Sequence, residues 1–351
     1  MSVVGQARIV REMCLAQRIV CVGGLPGCGK TLFTPIIGSF RGVEIQKFNY
    51  ALEYVCSLRL LGAIDESAAT GMIRLLTDLD LYNLAMSREV NLRWTDLSSV
   101  FRNPGTWRYL RRLFQIGDEA AVERIQRERP MLHLTVHYAL ALGAPLFQAL
   151  GDSLRLIEVI RHPLYMIKQW RLYVERYGTD IRDFTIWYDY EGRTVPFFAF
   201  GWEETYLRAN PMDRSIYAIE RLLRRSEEVL ASLPTAQQAN VLFIPFERFV
   251  LAPEPYLSQM SAFLGTECTP ETRRQMRRQR VPRQRIADGI SHHIYRYYGW
   301  QPADQRLDER GELAARRAYV AKEASAEGLE VMDRLSAEYE AARLGDLLPA
   351  H

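Results

Sequence analysis

Residues 18–31 read Arg-Ile-Val-Cys-Val-Gly-Gly-Leu-Pro-Gly-Cys-Gly-Lys-Thr. The β-branched run breaks into glycines, the pattern of a buried strand entering a tight loop. Residues 24–31 then satisfy G-x-x-x-x-G-K-[ST] in full. They do so where that motif has meaning, after an apolar strand and before a helix. Glycine lets the backbone wrap an anion, so successive N–H groups at 27–31 point inward, and the positive end of the following helix adds to that field. Lys30 supplies a mobile charge and Thr31 a hydroxyl. Only four of the chain's 45 cations are lysines, at 30, 47, 168 and 322, which gives the position of each one weight.

Downstream, a short helix is expected over 31–39, with Pro35 either in its first turn or distorting it. A second strand is expected over 43–46. Residues 49–150 read as mostly helical, with a polar interruption at 98–106, a strand over 131–136 and a helix over 138–150. Residues 1–15 allow a short leading helix. The run Leu-Arg-Leu-Ile-Glu-Val-Ile at 154–160 is a second buried strand, closed by Arg161, His162 and Pro163. Helices follow at 168–177, 211–232 and 255–264, with a third apolar strand at 241–244. An aromatic-rich irregular stretch covers 180–202, an arginine-dense stretch 273–285, and charged helix 305–343.

Strands alternating with helices predict an α/β fold with a mainly parallel sheet. The expected architecture is a P-loop-type parallel sheet flanked by helices, with helical insertions and a C-terminal helical extension. No Gly/Ser/Pro linker divides the chain, so one domain is expected over 1–351, with its core at about 18–300 and the extension at about 305–345.

With 351 residues, 48% of them apolar, the chain can bury a substantial core. A net charge of +3 is too balanced for a dedicated nucleic-acid binder. Its apolar stretches fall far short of the ~20 residues of a membrane span, and residues 1–20 offer no secretory pattern. Cys14, Cys21, Cys28, Cys56 and Cys268 read as free thiols in a reducing compartment. A soluble cytoplasmic protein is expected; its oligomeric state is left open.

A phosphate loop alone leaves the reaction undecided. Kinases and nucleotide hydrolases usually also hold Mg²⁺ with a carboxylate ending a second strand. Here the strand at 154–160 ends in Arg161-His162, with Glu158 inside it, and the strand at 241–244 is followed by Pro245-Phe246 before Glu247. A strand ending in arginine suits a second anion better than a metal.

That combination resembles the phosphoadenosine-phosphosulfate-dependent sulfotransferases. Residues 24–31 stand where that family has its 5′-phosphosulfate loop. Residues 154–163 look like its strand followed by Arg-x-Pro, whose arginine contacts the donor's 3′-phosphate. Residues 243–253 and 260–265 are similar to its late strand, acidic turn and helix ending in Phe-Leu-Gly. The spacing from His137-Tyr138 to Arg161 also matches, so the likeness spans roughly 20–265 in order.

The resemblance implies sulfuryl transfer from 3′-phosphoadenosine-5′-phosphosulfate (PAPS) to an acceptor hydroxyl, leaving 3′-phosphoadenosine-5′-phosphate (PAP), with no metal required. Gly27, Cys28, Gly29, Lys30, Thr31 and Leu32 would hold the 5′ end. Arg161, with Arg283 or Arg285 from a late basic loop, would hold the 3′-phosphate. Gln169 stands where the family usually has a serine, and the loop has the nucleotide-kinase form, Gly29-Lys30-Thr31. An ATP- and Mg²⁺-dependent kinase of a small molecule or carbohydrate is therefore the alternative.

For the proton acceptor, His137 closes the strand at 131–136 near the same crevice, and an imidazole is well suited to take a proton from an attacking hydroxyl. Glu53 and Glu44 are its rivals, each also readable as a structural carboxylate. His133 is read as turned to the opposite or a buried direction if the segment is a strand, and as lying with His137 if it is helical. His162 suits local capping. The arginines at 273, 274, 277, 278 and 280 fit either a solvated helix face or a patch for a polyanion. His292-His293 lacks companions at metal spacing. The aromatics at 184–202 suit a lid or core, and the polar stretch 91–99 is a candidate acceptor region.

Overall fold

Ile19–Gly23 (β1) is buried at every position and forms the middle of a five-stranded sheet. The computed structural model describes residues 7–290, 296–297, 301–302, 304–345 and 347. Its sheet has the order β2-β3-β1-β4-β7 and is parallel throughout. The other members are Lys47–Phe48 (β2), Leu132–Thr135 (β3), Leu154–Ile160 (β4) and Val241–Pro245 (β7). Ile19 pairs with Leu132 on one side and Leu154 on the other. The fold is α/β, a P-loop-type parallel sheet flanked by helices. The chain leaves β1 for one flank and returns to the other, so the loop after β1 lies at the switch point where open α/β sheets bind ligands.

The helices before β4 are Lys30–Ile37 (α1), Tyr50–Leu60 (α2), Glu66–Ala85 (α3), Thr106–Arg112 (α4), Asp118–Glu128 (α5) and Ala144–Leu150 (α6). After it come Pro163–Arg176 (α7), Glu203–Arg208 (α8), Pro211–Ser232 (α9), Thr235–Gln238 (α10), Phe246–Leu251 (α11), Glu254–Leu264 (α12) and Pro270–Arg278 (α13). Two C-terminal helices, Glu309–Ala321 and Ala326–Arg343, pack on α7 and α9. Trp187–Tyr190 (β5) and Arg193–Pro196 (β6) form an antiparallel hairpin within the aromatic stretch read as irregular.

Several boundaries differ from the sequence reading for identifiable reasons. The second strand lies at 47–48, and Val43 makes only an isolated bridge to Met131. The Ile45 N–H donates to the Tyr109 hydroxyl at 2.5 Å, so a side chain takes a bond the ladder would have used. No leading helix forms over 7–15. Instead Asp78, on α3, accepts from the N–H groups of Leu15 and Ala16 at 2.7 and 2.8 Å and from Arg11 Nε at 2.7 Å. The helix expected over 138–150 is only α6, because Gly143 and Pro145 start a new helix there. Pro35 sits in the interior of α1, and the Thr34 hydroxyl donates to the Thr31 carbonyl at 3.1 Å, which a proline at 35 cannot reach as a donor. The C-terminal charged helix is two, broken before Ser325, which caps the second. His292 and His293 lie outside the described residues.

Candidate functional site

The loop after β1 is wedged between α7 and α11. A Cβ at Gly29 would lie 2.4 Å from the Phe246 ring, and one at Gly27 would lie 3.2 Å from Met166 Cα. Both glycines have positive φ, 98° and 88°, so close approach and backbone hand both demand glycine. Lys30 is 5% exposed. Its Nζ donates to the Gly24 carbonyl at 2.5 Å and the Leu25 carbonyl at 3.1 Å, and sits 3.8 Å from Cys28 Sγ. Gly27, Gly29, Lys30, Thr31 and Leu32 line a cavity of about 1410 Å³. Cys28 faces the core beneath it, and burial raises its thiol pKa.

Arg161 is the first residue after β4. Its Nη1 donates to the Gly27 carbonyl at 2.9 Å, and its guanidinium lies 4.2 Å from the Phe246 centroid and 5.0 Å from that of Tyr165. Burial holds this guanidinium below its ordinary pKa. Arg283 approaches the same Phe246 ring at 5.4 Å, its own N–H anchored on the Val250 carbonyl at 2.7 Å. Arg316, from helix Glu309–Ala321, lies 4.1 Å from the Tyr165 ring and is held by Glu312 at 2.6 Å. Three guanidinium groups thus converge on two aromatic rings along one wall of the cavity. The sequence reading missed Arg316, whose only signal, a Glu312–Arg316 pair at i,i+4, is indistinguishable from an ordinary helix-surface pair.

Arg285 is not brought to the cavity. It donates to the Asp304 and Leu307 carbonyls at 3.1 and 3.0 Å and pairs with Asp288 at 3.1 Å, tying its loop to the last helices. Gln169 lines the cavity and donates to the Tyr173 hydroxyl at 2.7 Å. Arg273 and Arg274 make exposed ion pairs with Glu254 and Glu271.

His137 lines the same cavity, just beyond β3. Glu53 Oε1, on α2, lies 2.8 Å from its Nδ1 and accepts its backbone N–H at 2.6 Å. A carboxylate at Nδ1 places the proton there and leaves Nε2 its lone pair. The structure therefore unites two residues read as rivals. Glu44 is elsewhere, 1% exposed, accepting from Tyr109 Oη at 2.5 Å and from Arg112 at 2.7 and 3.0 Å. Burial opposes its ionisation, but the charges of Arg108 and Arg112 outweigh that and hold its pKa below the ordinary carboxylate value. It is an ion-pair residue of the interior and no candidate base. His133 is fully buried, its imidazole pushed down to about 4 by desolvation. His162 caps α7 through its ring and meets Glu340 at 3.0 Å.

Of the polar stretch, residues 95–98 line the cavity, with Phe48, Tyr50 and Arg102 beside them. The rings of 184–202 do not, and Phe197, Phe198 and Trp202 are buried in the core. Glu247, the nearest carboxylate to the end of β7, is fully buried, accepting from Tyr339 Oη at 2.6 Å and the His162 N–H at 2.9 Å. Among the described residues no three His, Cys, Asp or Glu cluster closely enough to hold a metal ion, and no helix is long and apolar enough to cross a membrane.

Beneath the loop, Glu158 on β4 is paired in register with Gly23, and burial pushes its carboxyl up to about 8 despite the nearby Lys30 charge. The folded chain holds this proton where the unfolded chain, with an ordinary value of roughly 4.3, has released it. Stability should therefore fall as pH rises from about 4.5 to 8. Glu158→Gln should melt several degrees above the parent at alkaline pH and close to it at pH ~5. An equal shift at both ends of a differential scanning calorimetry series would remove Glu158 as the cause.

Sheet order, glycine loop and strand-end arginine together define a P-loop-type α/β protein with two cationic positions on one cavity. The chain matches no protein-family model and no curated protein. Among solved structures it is similar to the sulfotransferase domain from the curacin biosynthetic pathway (14% identity, TM-score 0.46, 91% of this chain and 97% of that one). It is also similar to the sulfotransferase domain of the Synechococcus PCC 7002 olefin synthase (14%, 0.42, 92% and 94%) and to mouse sulfotransferase SULT7A1 complexed with PAP (12%, 0.37, 97% and 88%). At these identities and scores the likeness speaks for neither substrate nor site residues.

Proposed function

We propose that this chain is a PAPS-dependent sulfotransferase acting on an acceptor hydroxyl. The observation that carries the reading is the pair of anion positions on one cavity: the glycine loop with Lys30, and the guanidinium groups of Arg161, Arg283 and Arg316. A donor with a 5′-phosphosulfate and a separate 3′-phosphate needs two such positions. The residues fit it in a further way: the Nε atoms of Arg161 and Arg316 are buried without a hydrogen-bond partner, donors of the kind an oxyanion would satisfy.

When bound, the donor supplies a sulfuryl group on a phosphate leaving group. Lys30 and the loop N–H groups hold the 5′ end and offset negative charge on the departing phosphate oxygen. His137 Nε2 takes the acceptor's proton as its oxygen attacks sulfur, and Glu53 steadies the imidazolium formed. Residues 95–98 with Tyr50 border the space for the acceptor.

Thermal-shift titration in EDTA tests the reading. PAP at a hundred times its Kd should stabilise the chain by about 2.7 kcal/mol without metal. Stabilisation by ATP with Mg²⁺ alone would make this a kinase, as the Gly29-Lys30-Thr31 form allows. Arg161→Ala should weaken PAP by roughly 30-fold or more, the scale of about 2 kcal/mol for truncating one side of a buried charged contact. Adenosine 5′-phosphate should lose much less. Equal losses for both nucleotides, measured by calorimetric titration, would place Arg161 away from the 3′-phosphate.

A further inference from the structure

The excursion between α3 and α5 carries an unusual surface. Large apolar side chains stand almost free of neighbours there: Trp107 is 81% exposed, Phe114 88% and Ile116 83%, with Trp94 at 66%. Trp107, Arg111 and Phe114 follow one another at i, i+4 and i+7, because the Phe114 N–H still donates to the Arg111 carbonyl and prolongs the turn of α4. They therefore make one stripe, tryptophan, arginine, phenylalanine, on the outer face of the helix. The inner face of the same helix is anchored: Tyr109 and Arg112 are buried against Glu44. The stripe is thus held outward on a rigid support.

The surface is cationic as well as apolar. Six arginines (88, 93, 102, 108, 111 and 112) and two acids (Glu89 and Asp96) stand between 88 and 117. Arg112 is buried and, with Arg108, faces Glu44, while Arg88 and Arg93 lie near Asp118 and Asp96, so the cations this surface leaves without an acidic partner among the described residues are Arg102 and Arg111. Arg111, on the stripe itself, has no acidic partner among the described residues. The other arm of the excursion reaches the cavity: residues 95–98 and Arg102 line it, while Arg102 Nε donates to the Trp94 carbonyl at 2.9 Å and Trp94 packs on Phe101 at 5.4 Å.

We propose that this excursion docks the protein on an anionic lipid surface and that the acceptor is an amphiphile presenting its hydroxyl at that surface. Isolated rings that protrude with more than four-fifths of their area exposed offer little shape for a folded partner to match, whereas a fluid apolar phase receives them without complementarity. Tryptophan suits the boundary between headgroups and acyl chains, and the interspersed arginines suit anionic headgroups. The docking surface stands without the transfer chemistry, but the acceptor class rests on the sulfotransferase reading.

The test is sedimentation of the full chain with phosphatidylcholine vesicles, with and without roughly one-third phosphatidylglycerol. Binding should be at least ~10-fold tighter to the anionic vesicles and should weaken with salt. The double variant Trp107→Ser, Phe114→Ser should lose it by ~10-fold or more while keeping the parent's melting temperature and its stabilisation by PAP. Failure of the parent to bind either vesicle, or binding unchanged in the variant, overturns the proposal. So does capture by soluble polyglutamate in place of vesicles, which would give the surface to an acidic protein. Vesicle binding without any response to PAP would instead sink the sulfotransferase reading and leave the docking surface standing.

Discussion

On the sulfotransferase reading, Lys30→Ala should reduce sulfuryl transfer by roughly 10²–10³ while the chain stays folded, since removing one preorganised donor from a developing charge costs on that order. The ammonium is 5% exposed and is satisfied by two loop carbonyls, Gly24 and Leu25, with only a sulfur besides. Neither carbonyl depends on that donor alone, because Gly24 also accepts from the Tyr138 N–H at 3.4 Å and Leu25 from the Cys28 N–H at 3.1 Å, so the fold tolerates its loss better than the chemistry does. Single-turnover rates with radiolabelled donor would check this, alongside PAP binding. A variant that binds PAP tenfold more weakly yet turns over at the parent's rate would confine Lys30 to donor binding and leave the leaving oxygen to the loop N–H groups.

Glu44→Ala should have the largest effect on stability, about 3–5 kcal/mol, the cost of leaving a buried charge unpaired. Arg112 is 7% exposed and directs both terminal nitrogens at that carboxylate. Tyr109 would lose the acceptor for its hydroxyl at the same time. Urea denaturation should show the midpoint falling with little change in slope. A loss under about 1 kcal/mol would mean that water enters and solvates Arg112. Turnover per folded molecule should be unchanged, which separates this carboxylate from Glu53. Glu53→Gln would disturb the imidazole it orients.

The central strands and their loop were legible because β1 is apolar throughout, β4 is mostly so, and each is closed by residues with one local meaning: glycines after β1, Arg-His-Pro after β4. Loop, Lys30 and Arg161 belong to one edge by topology alone, since parallel strands end together. His137 was placed beside them for the same reason. What stayed illegible depended on side chains meeting across long separations. Glu53 reaches His137 over 84 positions, and Glu44 reaches Arg112 over 68. Before those distances are known, Glu44 is a carboxylate after a short strand and Glu53 one on a helix, and each is equally readable as structural. Arg283 and Arg285 posed the same difficulty two residues apart: one turns to Phe246, the other to Asp304, Leu307 and Asp288. Arg316 could not be read at all, because its position is set by how helix Glu309–Ala321 lies on α7.

That last contact couples the two ends of the polypeptide. The cavity is bordered by the glycine loop at Pro26, Gly27 and residues 29–32 and, nearly the whole chain later, by Glu312, Ala315, Arg316 and Tyr319. Whatever anion draws Arg316 inward also holds its helix against Tyr165, and the reverse holds by reciprocity of linked equilibria. A nucleotide in this cavity would therefore act as a clasp. Part of its binding energy would go into keeping the closing segment of the fold seated, and loosening that segment would be felt at the loop as a weaker grip.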